Sequence, residues 1–309
     1  FTTASTKPSS RDQVSRARPE GANVAQVPTL ALMNGVRIPQ LGFGTYKLGE
    51  NAQRIVESAL EVGYRHLDGA QMYLNEAEVG RAIRSSGLPR DQLFLTSKLD
   101  NPNHNPDAAK WSLDKTLSDL GTDHLDLFLI HWPLPMYYGG DLGRTWRAME
   151  DFYEQGLARS IGVSNFESHH LELVEQTASV APMVNQVESH PYFPNSALHR
   201  FDQSLGIVTE AWSPLGRGRA ASDPLLAAIG KEHGKSAAQV AVRWGLQRGD
   251  VLFPKSSTRE GQMENLDVFD FSLTPSQMTA ISSLSEGEAG RTGMHPDTME
   301  RLLPFEPRP

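Results

Sequence analysis

Short apolar runs alternate with longer segments of helical periodicity through most of the chain. Eight apolar or β-branched runs predict strands, at 38–44, 64–68, 93–98, 125–131, 158–164, 183–189, 207–213 and 251–256. Between them lie stretches such as NAQRIVESALEVG and PDAAKWSLDKTLSDLG, which have helical spacing and end in Gly, a common helix C-terminus. Because strands that alternate with helices pair in parallel, eight such units predict an α/β fold, a (β/α)8 TIM barrel.

An open, doubly wound sheet is the competing architecture for this alternation. Its dinucleotide-binding form needs a GxGxxG sequence directly after a strand, and none of the predicted strands is followed by one. The barrel is therefore the favoured fold.

The segments outside the alternating strands and helices predict an N-terminal tail, a hairpin and a C-terminal segment that covers the barrel mouth. Residues 1–27 lack periodicity and are rich in Ser, Thr, Pro and Arg, which predicts a disordered N-terminal tail. In 29–39, Asn34-Gly35 separates two apolar runs, a hairpin pattern because both turn positions favour positive φ. We expect this hairpin to cap the bottom of a barrel domain spanning 28–309, and the segment 286–309 to fold over its mouth.

Composition removes several classes of chemistry. The chain has no Cys, which excludes disulfides, thiolate zinc sites, iron–sulfur clusters and cysteine nucleophiles. With 29 Lys+Arg against 37 Asp+Glu the net charge is −8, which argues against nucleic-acid binding and leaves a local basic pocket for a small anion. The sequence has no apolar run of the roughly 18 residues needed for a membrane span and no apolar signal stretch, so we predict a cytoplasmic protein without membrane contact.

Polar residues able to carry proton chemistry stand at the ends of three successive predicted strands. Asp68 ends the second strand, Lys98 the third and His131 the fourth, while Tyr73 follows Asp68 in a loop. Each residue alone is more often a helix cap, a rim charge or a core histidine. Because the C-terminal strand ends of a barrel share one mouth, all four side chains are expected to meet there.

The four groups suit the protonation of an oxygen atom. A free Tyr titrates near pH 10, and a neighbouring Lys⁺ is expected to lower the pKa of Tyr73. Asp68 would hold Lys98 charged and in place, and His131 would orient a carbonyl or join a proton relay. No nucleophile is paired with a base, so acyl transfer is not indicated.

The segments around these residues resemble the signatures of the aldo-keto reductases. Residues 63–80 (GYRHLDGAQMYLNEAEVG) are similar to the family's first signature and residues 159–166 (RSIGVSNF) to its second, and HWP at 131–133, NQVE at 185–188 and PKS at 254–256 keep the family's order. The resemblance implies NADPH-dependent reduction of aldehydes or ketones to alcohols by direct hydride transfer. In that reaction Tyr73 would be the general acid, assisted by Lys98, Asp68 and His131.

By the same resemblance, the chain binds an extended nicotinamide dinucleotide without a Rossmann domain. Ser164, Asn165 and Gln186 match positions that hydrogen-bond the nicotinamide carboxamide, and Trp212 matches the aromatic position that stacks on the ring. The other implied cofactor contacts lie near the first strand, in the loop after Trp212 and at the adenosine end, and are Gly44, Thr45, Asp68, Ser213, Leu215, Gly216, Arg217, Lys255, Ser256, Thr258, Arg259, Glu264 and Asn265. Arg217 and Arg219 would reach the pyrophosphate, a plain solvated loop being the alternative for both.

One position departs from the family pattern. Gly261 stands where the family usually carries an Arg that binds the 2′-phosphate. NADPH is still the expected cofactor, because Lys255 and Ser256 are present and Arg259 could substitute, with NADH or dual use as the alternative.

The expected substrate pocket is aromatic and apolar. Tyr46, Met72 and Trp132 match pocket positions, with Trp212 and either Tyr192 or Phe193 beside them, and such a site suits small carbonyl compounds. The short loop LPMYYGGDLGR after Trp132-Pro133 resembles prokaryotic, 2,5-diketo-D-gluconate reductase-like members, which are typically monomers.

Two other functions remain open at this stage. A metal-dependent barrel hydrolase could use His66, Asp68, His131, Glu188 and His190 as ligands. A non-enzymatic regulatory subunit could keep only the affinity for the cofactor. The leading prediction assigns no metal ligand.

Overall fold

The computed structural model of the protein describes residues 27–299. The predicted disordered tail lies outside this range except for Val27, which packs half-buried against the core. The last ten residues of the predicted cover, 300–309, also lie outside it.

The chain begins with the predicted hairpin. Strands β1 (Thr29–Ala31) and β2 (Arg37–Pro39) pair antiparallel with Leu30 opposite Ile38, and Gly35 in the turn has a φ of +86°. The Asn34 side chain donates to the Arg159 carbonyl (2.9 Å), just before a barrel strand begins. The hairpin therefore covers the N-terminal ends of the strands, the bottom of the barrel.

Eight parallel strands form the second sheet, each paired with its neighbours in chain order. They are β3 (Phe43–Gly44), β4 (His66–Asp68), β5 (Phe94–Leu99), β6 (Leu127–Ile130), β7 (Ile161–Ser164), β8 (Val184–Glu188), β9 (Val208–Trp212) and β10 (Val251–Leu252). The sheet closes on itself, because the Gly42 N–H donates to the Leu252 carbonyl (2.9 Å) and the Leu252 N–H to the Gln40 carbonyl (3.0 Å). The predicted (β/α)8 barrel is confirmed.

The two closing strands are shorter than predicted. Of the predicted strand 38–44, Ile38 and Pro39 belong to the hairpin and only Phe43–Gly44 is a barrel strand. Gly42 passes so close to Phe253 that a Cβ would lie 2.7 Å from its ring. At the other end, Pro254 has no N–H to extend β10 beyond Leu252.

Ten α-helices pack around the barrel in the described part of the chain. They are α1 (Ala52–Val62), α2 (Glu76–Ser86), α3 (Pro106–Leu120), α4 (Leu142–Glu154), α5 (Ser168–Glu175), α6 (Ser196–Ser204), α7 (Pro224–His233), α8 (Ala237–Arg248), α9 (Arg259–Leu266) and α10 (Pro275–Ser282). In α1 the buried residues Ala52, Val56, Ala59 and Leu60 recur at helical spacing and form its barrel-facing stripe. Within 27–299, no helix is both long enough and apolar enough to cross a membrane.

Candidate active site

Four side chains meet at the C-terminal ends of the strands, as the sequence predicts. Asp68 is the last residue of β4, Lys98 lies near the end of β5, and His131 directly follows β6. A short 3-10 turn, Gln71–Tyr73, carries Tyr73 back over the same end of the barrel. Lys98 Nζ lies 2.6 Å from Asp68 Oδ1 and 3.5 Å from the Tyr73 hydroxyl, and the rings of Tyr73 and His131 are 5.9 Å apart.

Lys98 is a fully buried cation with fixed partners. Its ammonium donates to Asp68 Oδ1 and to the Gly69 carbonyl at 2.8 Å. Burial lowers the pKa of Lys98, but the charge of Asp68 and the Tyr73 phenol outweigh it, so the pKa is raised. A buried charge persists only when it is paired in this way, and Lys98 therefore places a permanent positive charge beside the Tyr73 oxygen.

The pKa of Tyr73 moves opposite to the expectation from sequence. Burial raises it to about 12, and the Lys98 charge, which acts in the other direction, reduces the shift without reversing it. The expectation that Lys98 brings this pKa below 10 is wrong, because spacing along the sequence does not measure desolvation. The phenol is consequently protonated at neutral pH, which is the form that can donate a proton.

His131 is a neutral imidazole at neutral pH. Its burial, followed by the charge of Lys98, holds its pKa well below 6.5. Its Nδ1 is buried without a hydrogen-bond partner among residues 27–299. A neutral imidazole offers one donor and one acceptor, which suits it to orient a polar ligand rather than to supply charge.

A row of hydroxyl and amide groups continues from this cluster across β7, β8 and β9. The Asn165 side chain donates to the His131 carbonyl (2.9 Å) and accepts from the Trp212 indole N–H (2.9 Å). Ser164 donates to the backbone carbonyl of Gln186 at 2.8 Å. Asn165 has a φ of +61°, a left-handed conformation that Asn adopts more readily than most residues. The predicted carboxamide-binding residues thus adjoin the proton-handling group.

The predicted adenosine end is brought together around the start of α9. Thr258 caps this helix by accepting from the Gly261 N–H (3.2 Å), and its own N–H donates to Ser256 Oγ (3.2 Å). Lys255 donates to the carbonyl of Tyr46 (3.2 Å), at the mouth of the barrel beyond the C-terminal ends of β3 and β10. The helix N-terminus adds a positive partial charge to this group. Glu264 is exposed and Asn265 buried on the same helix.

Two of the arginines that were predicted to bind phosphate form ion pairs with acidic residues from distant segments. Arg219 donates to Glu286 at 2.9 Å and stacks 3.7 Å above the Tyr192 ring, and Arg259 donates to Glu61 at 3.0 Å. Both ion pairs are largely exposed, so each is weak enough for a phosphate to compete with it. Arg217, with a φ of +54°, remains exposed in the same loop.

The mouth of the site carries the predicted pocket residues. Tyr46 is 46% exposed with its ring 4.9 Å from the Tyr73 ring, and Trp132 packs with Leu134 and Met299 in a cluster that Met72 also contacts. Tyr192 and Phe193 are instead buried between loops. Tyr192 donates to Asp223, and Phe193 stacks under Arg291, so neither lines the mouth.

The segment after α10 covers part of this mouth. Glu188 at the end of β8 accepts from the Thr292 N–H (2.8 Å), the Thr292 hydroxyl and the Gly293 N–H (2.8 Å). Gly293 packs so closely on Trp212 that a Cβ would lie 2.4 Å from the indole. A buried carboxylate therefore anchors the C-terminal segment directly over the aromatic residue of the site.

With this geometry in place, the chain can be compared with known proteins. A sequence model described as the aldo/keto reductase family matches residues 40–286. The chain belongs to the aldo/keto reductase family.

Related reductases are similar over nearly their whole length. An aldo-keto reductase of Mycolicibacterium smegmatis is 44% identical over 88% of this chain and 98% of its own. The 2,5-diketo-D-gluconic acid reductase B of a Corynebacterium species is 43% identical over 89% of this chain and 99% of its own. A solved structure of a Gox0644 mutant in complex with NADPH superposes with a TM-score of 0.83 at 37% identity, covering 88% of this chain and 98% of that one. The aldo/keto reductase is thus an oxidoreductase of the predicted prokaryotic branch.

Several of the residues proposed as metal ligands of a hydrolase are engaged in other hydrogen bonds. Both ring nitrogens of His66 are engaged inside the barrel, one with the Pro39 carbonyl (3.2 Å) and one with Thr96 Oγ1 (3.0 Å). His190 and the Thr292–Gly293 segment occupy the Glu188 carboxylate. In the aldo/keto reductase these residues position the barrel bottom and the C-terminal cover.

Sequence reasoning missed Glu210, in the middle of β9. Its side chain is fully buried and Oε2 accepts from Gln186 Nε2 at 2.8 Å. Burial, followed by the charge of Asp68, raises the pKa of Glu210 to about 8. The sequence could have indicated this residue, because Glu210 stands inside the apolar run IVTEAWS and a carboxyl group is rarely buried without a specific partner.

Proposed function

We propose that this aldo/keto reductase uses NADPH to reduce small aldehydes or ketones to alcohols, with Tyr73 as the general acid. The observation that carries the proposal is the buried Asp68–Lys98 ion pair with its ammonium 3.5 Å from the Tyr73 hydroxyl. All groups that the proposal needs come from one chain, so it requires no second copy, and we propose that the enzyme acts as a monomer.

The residues present fit a nicotinamide dinucleotide in chemical type and order. Ser164, Asn165 and Gln186 offer hydroxyl and amide groups for the carboxamide, and the half-buried Trp212 offers an aromatic face held by its N–H bond to Asn165. The loop from Ser213 to Arg217 would hold the pyrophosphate, and Lys255, Ser256 and Thr258 the adenosine phosphate. Gly44, Thr45, Glu264 and Asn265 complete the proposed contacts. When bound, the cofactor supplies the hydride that reduces the carbonyl carbon.

The proton comes from Tyr73. Because its pKa of about 12 keeps the phenol protonated, the hydroxyl can hydrogen-bond the carbonyl oxygen and donate its proton as negative charge develops there. Lys98 then stabilises the phenolate that remains, and Asp68 keeps the ammonium charged and in place. The neutral His131 donates a hydrogen bond that orients the same oxygen.

NADPH is preferred over NADH in this proposal. Lys255, the Ser256 hydroxyl and the N-terminus of α9 form a positive site that a 2′-phosphate would use and a 2′-hydroxyl would not. The NADPH complex of the similar Gox0644 structure supports this choice. Because Gly261 stands where an Arg would bind the 2′-phosphate, the expected preference for NADPH over NADH is modest.

A substrate panel with both cofactors tests the proposal. Aromatic and aliphatic aldehydes, a diketone and a keto sugar acid are each offered with NADPH or NADH, and cofactor oxidation is followed by absorbance. The expected result is turnover of several carbonyl compounds with a higher kcat/KM for NADPH. Cofactor binding without turnover of any carbonyl would favour the regulatory-subunit alternative, and a clear preference for NADH would refute the cofactor assignment.

A further inference from the structure

Glu210 sits beside Gln186 at the base of the proposed nicotinamide site. The parallel register pairs Gln186 on β8 with Glu210 on β9, so both side chains leave the same face of the barrel wall. Glu210 is fully buried, and its second oxygen, Oε1, has no hydrogen-bond partner among residues 27–299. None of the steps proposed above uses this carboxyl group.

The contacts of Gln186 determine which end of its amide is available. Nε2 donates to Asp68 Oδ1 and to Glu210 Oε2, both at 2.8 Å, which uses its two N–H groups. The opposite orientation would place the amide oxygen against two carboxyl groups. Within the described range, the amide oxygen of Gln186 accepts no hydrogen bond, so it is the group left to meet a ligand.

We infer that Glu210 is a positioning residue that holds the Gln186 amide with its oxygen toward the NH2 of the nicotinamide carboxamide. The inference rests on the proposed function, because it concerns recognition of the nicotinamide cofactor. Asp68 alone provides one acceptor and leaves the second N–H of Gln186 unsatisfied. With Glu210 present, both N–H groups of Gln186 have an acceptor. The flipped amide loses the bond to Asp68 and keeps one to Glu210 only when the acid proton is on Oε2, which makes the productive orientation the stable one.

The protonation state of Glu210 suits this role. The charged groups that face it are Asp68 from β4 and Lys98 from β5. Its own burial, followed by the negative charge of Asp68, raises the pKa of Glu210 and favours a neutral acid, against the smaller opposing effects of the Gln186 hydrogen bond and the Lys98 charge. A neutral acid keeps a carbonyl oxygen as an acceptor for Gln186 without placing a second negative charge beside Asp68. A glutamine at this position should therefore serve nearly as well, whereas an alanine should not.

Binding of two cofactors separates a positioning role from a merely structural one. NADPH and its 3-acetylpyridine analogue, which carries a methyl group in place of the carboxamide NH2, are titrated by protein fluorescence against wild type, Glu210→Ala and Glu210→Gln. In Glu210→Ala, NADPH should bind about fivefold more weakly, the effect of one hydrogen bond, while binding of the analogue should change little. Glu210→Gln should keep the wild-type ratio of the two dissociation constants.

Equal weakening of both cofactors in Glu210→Ala, or no change in either, would overturn the inference. If that variant does not fold, Glu210→Met, which fills the same space without an acceptor, replaces it: loss of the NADPH preference over the analogue supports the inference, and a wild-type ratio overturns it. Turnover is measured in parallel. A wild-type enzyme that discriminates between the two cofactors yet reduces no carbonyl would contradict the proposed function and leave the positioning role standing.

Discussion

At the scale of single residues, burial decides the protonation states on which the site depends. Tyr73 and Lys98 are adjacent in the active site, yet desolvation keeps the phenol protonated and Asp68 keeps the ammonium charged. The sequence motifs identify these residues and their partners. The direction of the Tyr73 shift requires the buried environment, which depends on packing among segments distant in sequence.

Glu210 predicts a pH dependence of stability. Its folded pKa of about 8 exceeds the ordinary 4.5, so between these values the folded protein binds the extra proton and stability falls as pH rises. The loss approaches ~1.4 kcal/mol per pH unit in that window. Urea unfolding from pH 5 to 8 should show Glu210→Gln losing less stability than wild type, and identical slopes would contradict the buried neutral acid.

An arginine in place of Gly261 should change the cofactor preference. A Cβ at this position would lie 2.3 Å from Ser256 Oγ, so any side chain must first turn that hydroxyl aside. We expect Gly261→Arg to tighten NADPH binding about tenfold through a charge-assisted bond to the 2′-phosphate, with NADH unchanged. Gly261→Ala is the matched control for the displaced hydroxyl. The dissociation constants of both variants are compared, and equal NADPH affinity in the two would contradict the account.

At the scale of elements, the sequence predicts the barrel strands well where they are long and poorly where the barrel closes. The central strand β6 lies within the predicted 125–131, because a continuous apolar run is typical of a parallel strand buried on both faces. At the closure, Gly42 and Pro254 shorten the strands for reasons that involve Phe253 and the missing Pro N–H. Likewise, the partners of Arg219 and Arg259 come from segments that no motif links to them.

The C-terminal segment is held by several side-chain contacts besides Glu188. Asp297 lies 2.9 Å from His169 Nε2 and 3.0 Å from His170 Nε2, on the first turn of α5. His170 Nδ1 accepts from the Glu167 N–H, so the proton of the neutral ring is on Nε2, the nitrogen nearest Asp297. This histidine therefore caps α5 through Nδ1 and faces Asp297 through Nε2.

Releasing the C-terminal segment should affect substrate binding more than chemistry. Glu188→Ala removes the acceptor for Thr292 and Gly293, whereas Glu188→Gln keeps part of it. We expect the alanine variant to raise KM for the carbonyl about tenfold with kcat changed less than threefold, and to be cleaved faster within 286–299 by a protease. An equal fall in kcat for both variants would argue against a covering role.

At the scale of the whole molecule, the fold keeps several buried histidines neutral. Burial lowers the pKa of His66 to about 4 and that of His104 to about 3. At these two histidines the unfolded chain binds more protons than the folded one below pH 6.5, so their contribution to stability falls as pH decreases toward 4.

Replacing one of these histidines should weaken that acid sensitivity. His66→Gln removes the titrating ring and keeps an amide for the contacts with Pro39 and Thr96. The difference in unfolding free energy between pH 7 and pH 5 should be smaller in the variant by about 1–2 kcal/mol. A difference as large as that of wild type would show that His66 is not held neutral.

In the proposed mechanism the whole enzyme depends on one proton donor, and Tyr73→Phe tests this assignment most directly. Dissociation constants for NADPH and kcat for an accepted aldehyde are measured for wild type and for this variant. The account predicts a fall in kcat of at least about 10²-fold, because the general acid is lost, with cofactor affinity within about twofold. Near wild-type turnover in Tyr73→Phe would contradict the assignment of Tyr73 as the general acid.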